Sequence, residues 1–264
     1  MKNILAPLGI SDNAKNTLAY AIDLAAKSQA NLYVMDTFNP SFPNAHLLNV
    51  KQAMGSRNRQ RIKTLIQQLD SKGVNIQMAS YDGDFLSGIA SLDQQVQLDL
   101  IVCGPVPNTD DEAVFLGPTA GSVVKKTDIP VLIVPEGHAF SAPKKALFAF
   151  KRGEIKGNRS LAPVHYFKTQ FQTAFELLLV KVPNQDRKDQ QIDHEIVELS
   201  NKMGSTENGT VYQGVLEHFQ SVQPDLLVVF ARKRGFFEKL LGSDVVLKKD
   251  FFTKTPLLVL KNRK

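Results

Sequence analysis

The chain has 264 residues, of which 43% are hydrophobic and 22% charged; this balance excludes disorder as the dominant state and suits two compact units of about 130 residues. A single cysteine excludes a disulfide framework and a cysteine-built zinc site. The net charge of +6 is uneven: residues 1–143 hold 11 basic and 13 acidic side chains, and residues 144–264 hold 21 and 13.

No stretch approaches the ~20 apolar residues that span a bilayer. The apolar run of MKNILAPLG is too short for a signal peptide. The expected location is the cytoplasm.

Residues 2–7 (KNILAP) predict a short buried strand ended by Pro7. Ser11 is the expected cap of a helix whose Ala14, Leu18, Ala21, Ile22 and Ala25 form one apolar stripe. A second strand is expected over 31–37, then a loop over 38–50 carrying Pro40 and Pro43. A polar helix over 51–71 would bury Ile62, Leu65, Ile66 and Leu69, and Val74 to Ala79 would follow as a strand. Asp84 can cap the next helix, which carries Leu86, Ile89 and Leu92. Leu98 to Cys103 is a continuous apolar run of the kind buried on both faces of a parallel sheet. Pro118 to Thr127 is the last helix of this set and Pro130 to Val134 its last strand. Strands and helices alternate throughout, which implies right-handed crossovers and a doubly wound sheet.

After a Pro- and Gly-containing linker the pattern restarts. Ala146 to Phe150 and Glu176 to Val182 are strands, and Thr210 to Gln213 is expected to be the third. DLLVVF at 225 mirrors DLIVC at 99, and PLLVL at 256 mirrors PVLIV at 130, with the same spacing of 31 residues in each half. Duplication accounts for this better than chance. The second half is shorter, and the loop at 38–50 is the expected missing piece. The boundaries are 1–137 and 144–264, with the linker at 138–143. The terminal runs PVLIV and PLLVL could pair as edges and so protect one another from aggregation.

KNILAPLGISDNAKNTLAYAIDLA and DLIVCG followed by LGPTAGSVVKKTDIPVLIVP resemble a universal stress protein (UspA) domain. KRGFFEKLLGSDVVLKKDFFTKTPLLVL resembles a divergent second copy. The resemblance implies the tandem type. It also implies α/β architecture, with two doubly wound five-stranded parallel-sheet domains of Rossmann-like, adenine nucleotide alpha hydrolase-like form. The function it implies is stress response through binding. Members of the family that bind ATP carry Gly-x2-Gly-x9-Gly-Ser/Thr, in which glycines and helix N–H groups approach the phosphates.

Set on this motif, the first half keeps Gly104 and Gly117, but Pro107 and Pro118 replace the second glycine and the hydroxyl residue. The Asp that ends the first strand in those members falls on Gly9. Asp110, Asp111 and Glu112 would repel a triphosphate unless they hold Mg²⁺. In the second half Gly242 and Ser243 are retained, Val229 and Arg232 stand for the earlier glycines, Lys151 for the strand Asp, and Asp244 competes with a bound anion.

The candidate crevice is therefore Pro7, Leu8, Gly9, Thr37, Cys103, Gly104, Gly117, Thr119 and Ala120, with Gly242 and Ser243 as a remnant. ATP with Mg²⁺ is the only cofactor it suggests. Cys103 and Asp36 end strands and could face it, though a buried structural thiol is the more ordinary role for Cys103 and a loop carboxylate an equally ordinary one for Asp36. His46, His138, His165, His194 and His218 lack metal-ligand spacing. Phe236-Phe237 and Phe251-Phe252 are expected to pack in a core or between the halves.

Three functional readings follow. One is a stress-response protein with little or no ATP binding and no turnover. The second is an ATP-binding regulator with slow hydrolysis in the first half. The third is a module for an anionic partner or nucleic acid, using the basic second half, where Arg232, Lys233 and Arg234 could grip phosphate. A protein partner and a homodimer are compatible with each, and no membrane is implied.

Overall fold

The computed structural model describes residues 1–8, 13–38, 47–105, 114–157, 160–183, 191–200, 202–231, 246–248 and 252–262. Ser11, the Pro40 to His46 segment, Phe236-Phe237 and Phe251 lie outside the described residues.

The first half runs β1 (Asn3–Pro7), α1 (Ala14–Ser28), β2 (Asn31–Phe38), α2 (Leu47–Gln67), β3 (Ile76–Asp82), α3 (Phe85–Val96), β4 (Leu100–Cys103), β5 (Val114–Leu116), α4 (Pro118–Lys126) and β6 (Val131–Ile133). The second runs β7 (Lys145–Phe150), α5 (Ala162–Gln170), β8 (Ala174–Lys181), α6 (His194–Val197), β9 (Met203–Glu207), α7 (Val211–Val222), β10 (Leu226–Ala231), β11 (Val246–Leu247) and β12 (Leu257–Lys261).

Ten strands form one sheet in the order β3-β2-β1-β4-β6-β12-β10-β7-β8-β9. Each half contributes five parallel strands. The halves meet where β12 runs antiparallel to β6, with Leu257 opposite Ile133 and Val259 opposite Val131. A second contact pairs β11 with β5. Side chains alternate between two cores. Ile4, Ala6, Leu100, Val102, Phe148 and Leu258 face the layer of α1, α2 and α5, while Leu5, Ile101, Val131, Leu147 and Leu257 face that of α3, α4 and α7.

The likeness of the two halves extends to local capping. Asp99 Oδ2 accepts the backbone N–H groups of Lys2 and Asn3 at 2.5 and 3.0 Å, and Asp225 Oδ2 accepts those of Lys144 and Lys145 at 2.8 and 2.9 Å. Asp84 caps α3 and Thr210 caps α7 through their side-chain oxygens. Both helices end on a left-handed glutamine, Gln97 and Gln223. Each of these pairs stands 126 residues apart, as do Pro130 and Pro256.

Several sequence expectations change. Thr210 to Gln213 is not a strand: the Thr210 hydroxyl accepts the Gln213 N–H at 3.2 Å and starts α7. The third strand is β9, an edge strand that is largely exposed and so lacks the apolar signal of its neighbours. The third strand of the first half is Ile76–Asp82 rather than Val74 to Ala79. The expected loop at 38–50 loses residues at both ends, since β2 includes Phe38 and α2 begins at Leu47. Leu69 falls beyond α2, whose end is Gln67, yet still packs against the core. Among the described residues, what the second half lacks is mainly helical, for the 21-residue α2 is matched there by the four-residue α6.

α3 and α7 both approach their sheet through a glycine. A Cβ on Gly214 would lie 2.8 Å from Val180 Cγ1 and 2.9 Å from Thr206 Cγ2, whereas one on Gly88 would meet only the Tyr81 side chain, at 3.1 Å. Overpacking costs about 1–3 kcal/mol, against a gain of up to ~1 kcal/mol in helix propensity. Gly214→Ala should therefore lose about 1–2 kcal/mol in urea unfolding and Gly88→Ala less. A Gly214→Ala protein as stable as the parent would contradict this packing.

Candidate functional site

The order β3-β2-β1-β4-β6 reverses chain direction of travel between β1 and β4. Open α/β sheets place ligands at the strand ends beside such a switch. Leu5 pairs with Ile101, so Cys103 is level with Pro7, and Pro7 pairs with Met35 just before Thr37. The structure thus gathers Pro7, Leu8, Thr37, Cys103 and Gly104 at one end of three adjacent strands. Gly117, Thr119 and Ala120 open α4, and Gly117 is tied to this end by its N–H, which donates to the Pro105 carbonyl at 3.2 Å. Gly9, Pro107, the Asp110 to Glu112 segment, Arg232 to Arg234, Gly242, Ser243 and Asp244 lie outside the described residues.

The backbone donors here are largely committed. Leu8 N–H donates to the Met35 carbonyl at 2.7 Å. Thr37 N–H donates to Asp36 Oδ1 at 2.9 Å, and the Thr37 carbonyl accepts from Asn58 Nδ2 at 3.5 Å. Pro7 and Pro118 have no N–H. Pro118 is exposed at the first position of α4, where it favours the helix and removes one donor from its N-terminus. Thr119, exposed, and Ala120, buried, carry the first-turn N–H groups that an anion could use.

Asp36 is neither a loop carboxylate nor aimed at the crevice. It belongs to β2, is 5% exposed, and accepts Asn58 Nδ2 at 2.6 Å and the Arg61 guanidinium. Ser80 on β3 donates to Asn58 Oδ1 at 2.9 Å. This cluster lies under α2, on the face away from α4. Sequence reading missed Asn58, although its place one turn before the core residue Ile62 put a polar side chain on the apolar face of α2.

Lys261 was also missed. It is 6% exposed at the end of β12, and its ammonium donates to the Val124 carbonyl in the last turn of α4. A cation from the second half thereby satisfies an orphan carbonyl and the negative end of the helix dipole. Phe252 of the second half stacks edge-on against Phe115 of β5, with centroids 5.7 Å apart.

Cys103 is 5% exposed, and burial pushes its thiol up to about 12. A thiol held protonated is a poor nucleophile. Native protein at pH 8 should therefore leave it unmodified by a disulfide reagent such as dithionitrobenzoate, with one thiol per chain released only on unfolding. Rapid labelling of folded protein would overturn the assignment as a structural thiol.

Among the described residues no cluster of His, Cys, Asp and Glu could hold a metal ion, and no helix is long and apolar enough to cross a membrane. No curated protein matches the chain in sequence. Among solved structures, a universal stress protein from Archaeoglobus fulgidus DSM 4304 is similar with a TM-score of 0.64 and 15% identity, covering 99% of this chain and 97% of that one. A protein of unknown function from Pseudomonas aeruginosa PAO1 gives 0.59 and 14%, covering 99% and 93%. At such identities these likenesses concern the fold. The family model described as the universal stress protein family matches residues 1–135. That match, with the doubly wound sheet beneath it, shows that the chain belongs to the universal stress protein family.

Proposed function

We propose that this protein acts in the cytoplasmic stress response by binding rather than by turnover, and that its first-half crevice takes ATP weakly or not at all. The observation that supports this is the donor inventory at the start of α4. Gly117 N–H is already given to Pro105, and Pro118 has none. Among the described residues of the α4 start, a phosphate approaching there meets the Thr119 and Ala120 amides, beside a strand end whose Leu8 and Thr37 amides are engaged elsewhere. Hydrogen bonds to charged groups are worth about 1.5–3 kcal/mol each, so losing even one lowers affinity about tenfold or more.

The second reading, an ATP-binding regulator with slow hydrolysis, is supported by Gly104, Gly117 and the two remaining first-turn amides. ATP with Mg²⁺ would then sit over α4. In either case the β6 edge is filled from within the chain by β12, so a second copy or another protein would join elsewhere.

Calorimetric titration with ATP and Mg²⁺ separates the two. The expected dissociation constant is weaker than about 100 μM, which corresponds to less than ~5.5 kcal/mol of binding. Sub-micromolar affinity would overturn the proposal. The double variant Pro107→Gly, Pro118→Thr supplies a glycine, two N–H groups and a hydroxyl, and should bind ATP at least about tenfold tighter than the parent. No gain in a stably folded double variant would show that the prolines are not the cause.

A further inference from the structure

α2 concentrates positive charge in a half that is otherwise acidic. Residues 1–143 hold 11 basic and 13 acidic side chains, yet the 21 residues of α2 hold five of the basic ones, Lys51, Arg57, Arg59, Arg61 and Lys63, and no Asp or Glu. Arg57 with Arg61, and Arg59 with Lys63, are like-charge pairs at i,i+4, an arrangement that weakens a helix. Arg61 is engaged by Asp36. Arg57, Arg59 and Lys63 are exposed, and among the described residues no acidic group pairs with them. The one acidic residue of α1, Asp23, is taken by Lys72.

The rotation of α2 is fixed from beneath. Asn58 and Arg61 bond Asp36 of β2, and Ile62 is wholly buried, with Leu65 and Ile66 packed on the same core. At about 100° per residue, the line opposite these anchors runs through Gln52, Ser56, Gln60 and Thr64, which are four residues apart and all exposed. This crest is uncharged and able to donate and accept hydrogen bonds. Arg57 and Arg61 flank it on one side, Arg59 and Lys63 on the other. α2 packs on β2 and β3, at the outer end of the sheet, so the crest stands clear of the second half.

We propose that the outer face of α2 docks in the major groove of double-helical DNA. That groove is about 12 Å wide, and an α-helix with its side chains measures about 10–12 Å across. The two rows of cations meet the phosphates of the two strands, and the crest meets the base edges between them. A guanidinium suits phosphate because it bonds through two N–H groups at once. An acidic peptide would engage one row of cations; two rows on either side of an uncharged crest match two phosphate strands. α2 contains no aromatic residue on which unpaired bases would stack. Its apolar face is held in the core and so is not offered to a lipid surface. The α4 crevice takes no part, and the inference stands whether or not ATP binds there.

The test is fluorescence anisotropy of the full chain with a labelled DNA duplex of ~20 bp, two helical turns. With three phosphates neutralised by Arg57, Arg59 and Lys63, affinity should fall about 40-fold between ~50 and ~200 mM salt. Arg57→Gln should lower the slope of log affinity against log salt by about 1. The triple variant Arg57→Gln, Arg59→Gln, Lys63→Gln should bind at least about tenfold more weakly at the lower salt. Its urea unfolding should be no easier than the parent's, since no partner within the chain is lost and like-charge pairs are removed. An RNA duplex, whose major groove is too narrow for a helix, and a polyglutamate peptide should each compete for the site at least about tenfold less well than unlabelled DNA. The proposal is overturned if the duplex does not bind at ~50 mM salt, if the folded triple variant binds like the parent, if Arg57→Gln leaves the salt slope unchanged, or if the RNA duplex or polyglutamate competes as well as DNA.

Discussion

The antiparallel pairing of β6 with β12 is the contact on which the rest of the molecule depends. Each half alone would end its sheet on a short edge strand that is apolar apart from Lys261, with buried side chains on both faces and unpaired backbone groups along one side. Such an edge recruits other chains unless it is covered. Here each edge covers the other, and the two cores become continuous layers across ten strands. The same juxtaposition brings Lys261 to the C-terminus of α4 and Phe252 to Phe115. The linker side is closed by aromatic contacts, with Phe140 edge-on to both Tyr20 and Phe171. The second half therefore supports the helix whose other end forms the crevice.

The architecture common to the two halves is kept by small polar devices as much as by apolar runs. Asp99 and Asp225 each clamp the start of the central strand of their half through two backbone N–H groups. These bonds fix where β1 and β7 begin relative to β4 and β10. Since a slip of one residue would move every side chain to the wrong face, the carboxylates help to set register in a sheet whose central strands are apolar on both sides. The halves diverge over the segment between their second and third strands, where among the described residues α2 and the Asp36 cluster have no counterpart of similar size in the second half.

Much of this was legible in the residues because buried parallel strands are continuous apolar runs. DLIVC, PVLIV, DLLVVF and PLLVL could hardly be anything else, and their equal spacing marks the two halves as alike. Asp84 was readable as a cap for the same reason that Thr210 was misread: both act through a side-chain oxygen on N–H groups two or three residues on, but Thr210 also has strand propensity and precedes Val211 and Tyr212. MGSTE at 203 was invisible as a strand because an exposed edge needs little apolar surface. β5 and β11 depend on a partner 130 or more residues away, which no local pattern encodes. Asp36 and Lys261 failed for another reason: a buried charge is defined by partners on other elements, Asn58 and Arg61 for one and Val124 for the other.

Pro118 shows how stability and anion binding compete at one position. At the start of a helix the ring fixes φ and removes an N–H that would otherwise go unsatisfied, so it favours the folded state. That same N–H is what a phosphate site would use. Gly117, just before it, shows the same preference by giving its N–H to Pro105 inside the chain. With Lys261 satisfying the far end of α4 and Val123 and Val124 buried along its length, the helix is anchored by the protein at both termini. A nucleotide is not needed to hold such a helix, and of its first-turn amides those of Thr119 and Ala120 are what is left for a phosphate.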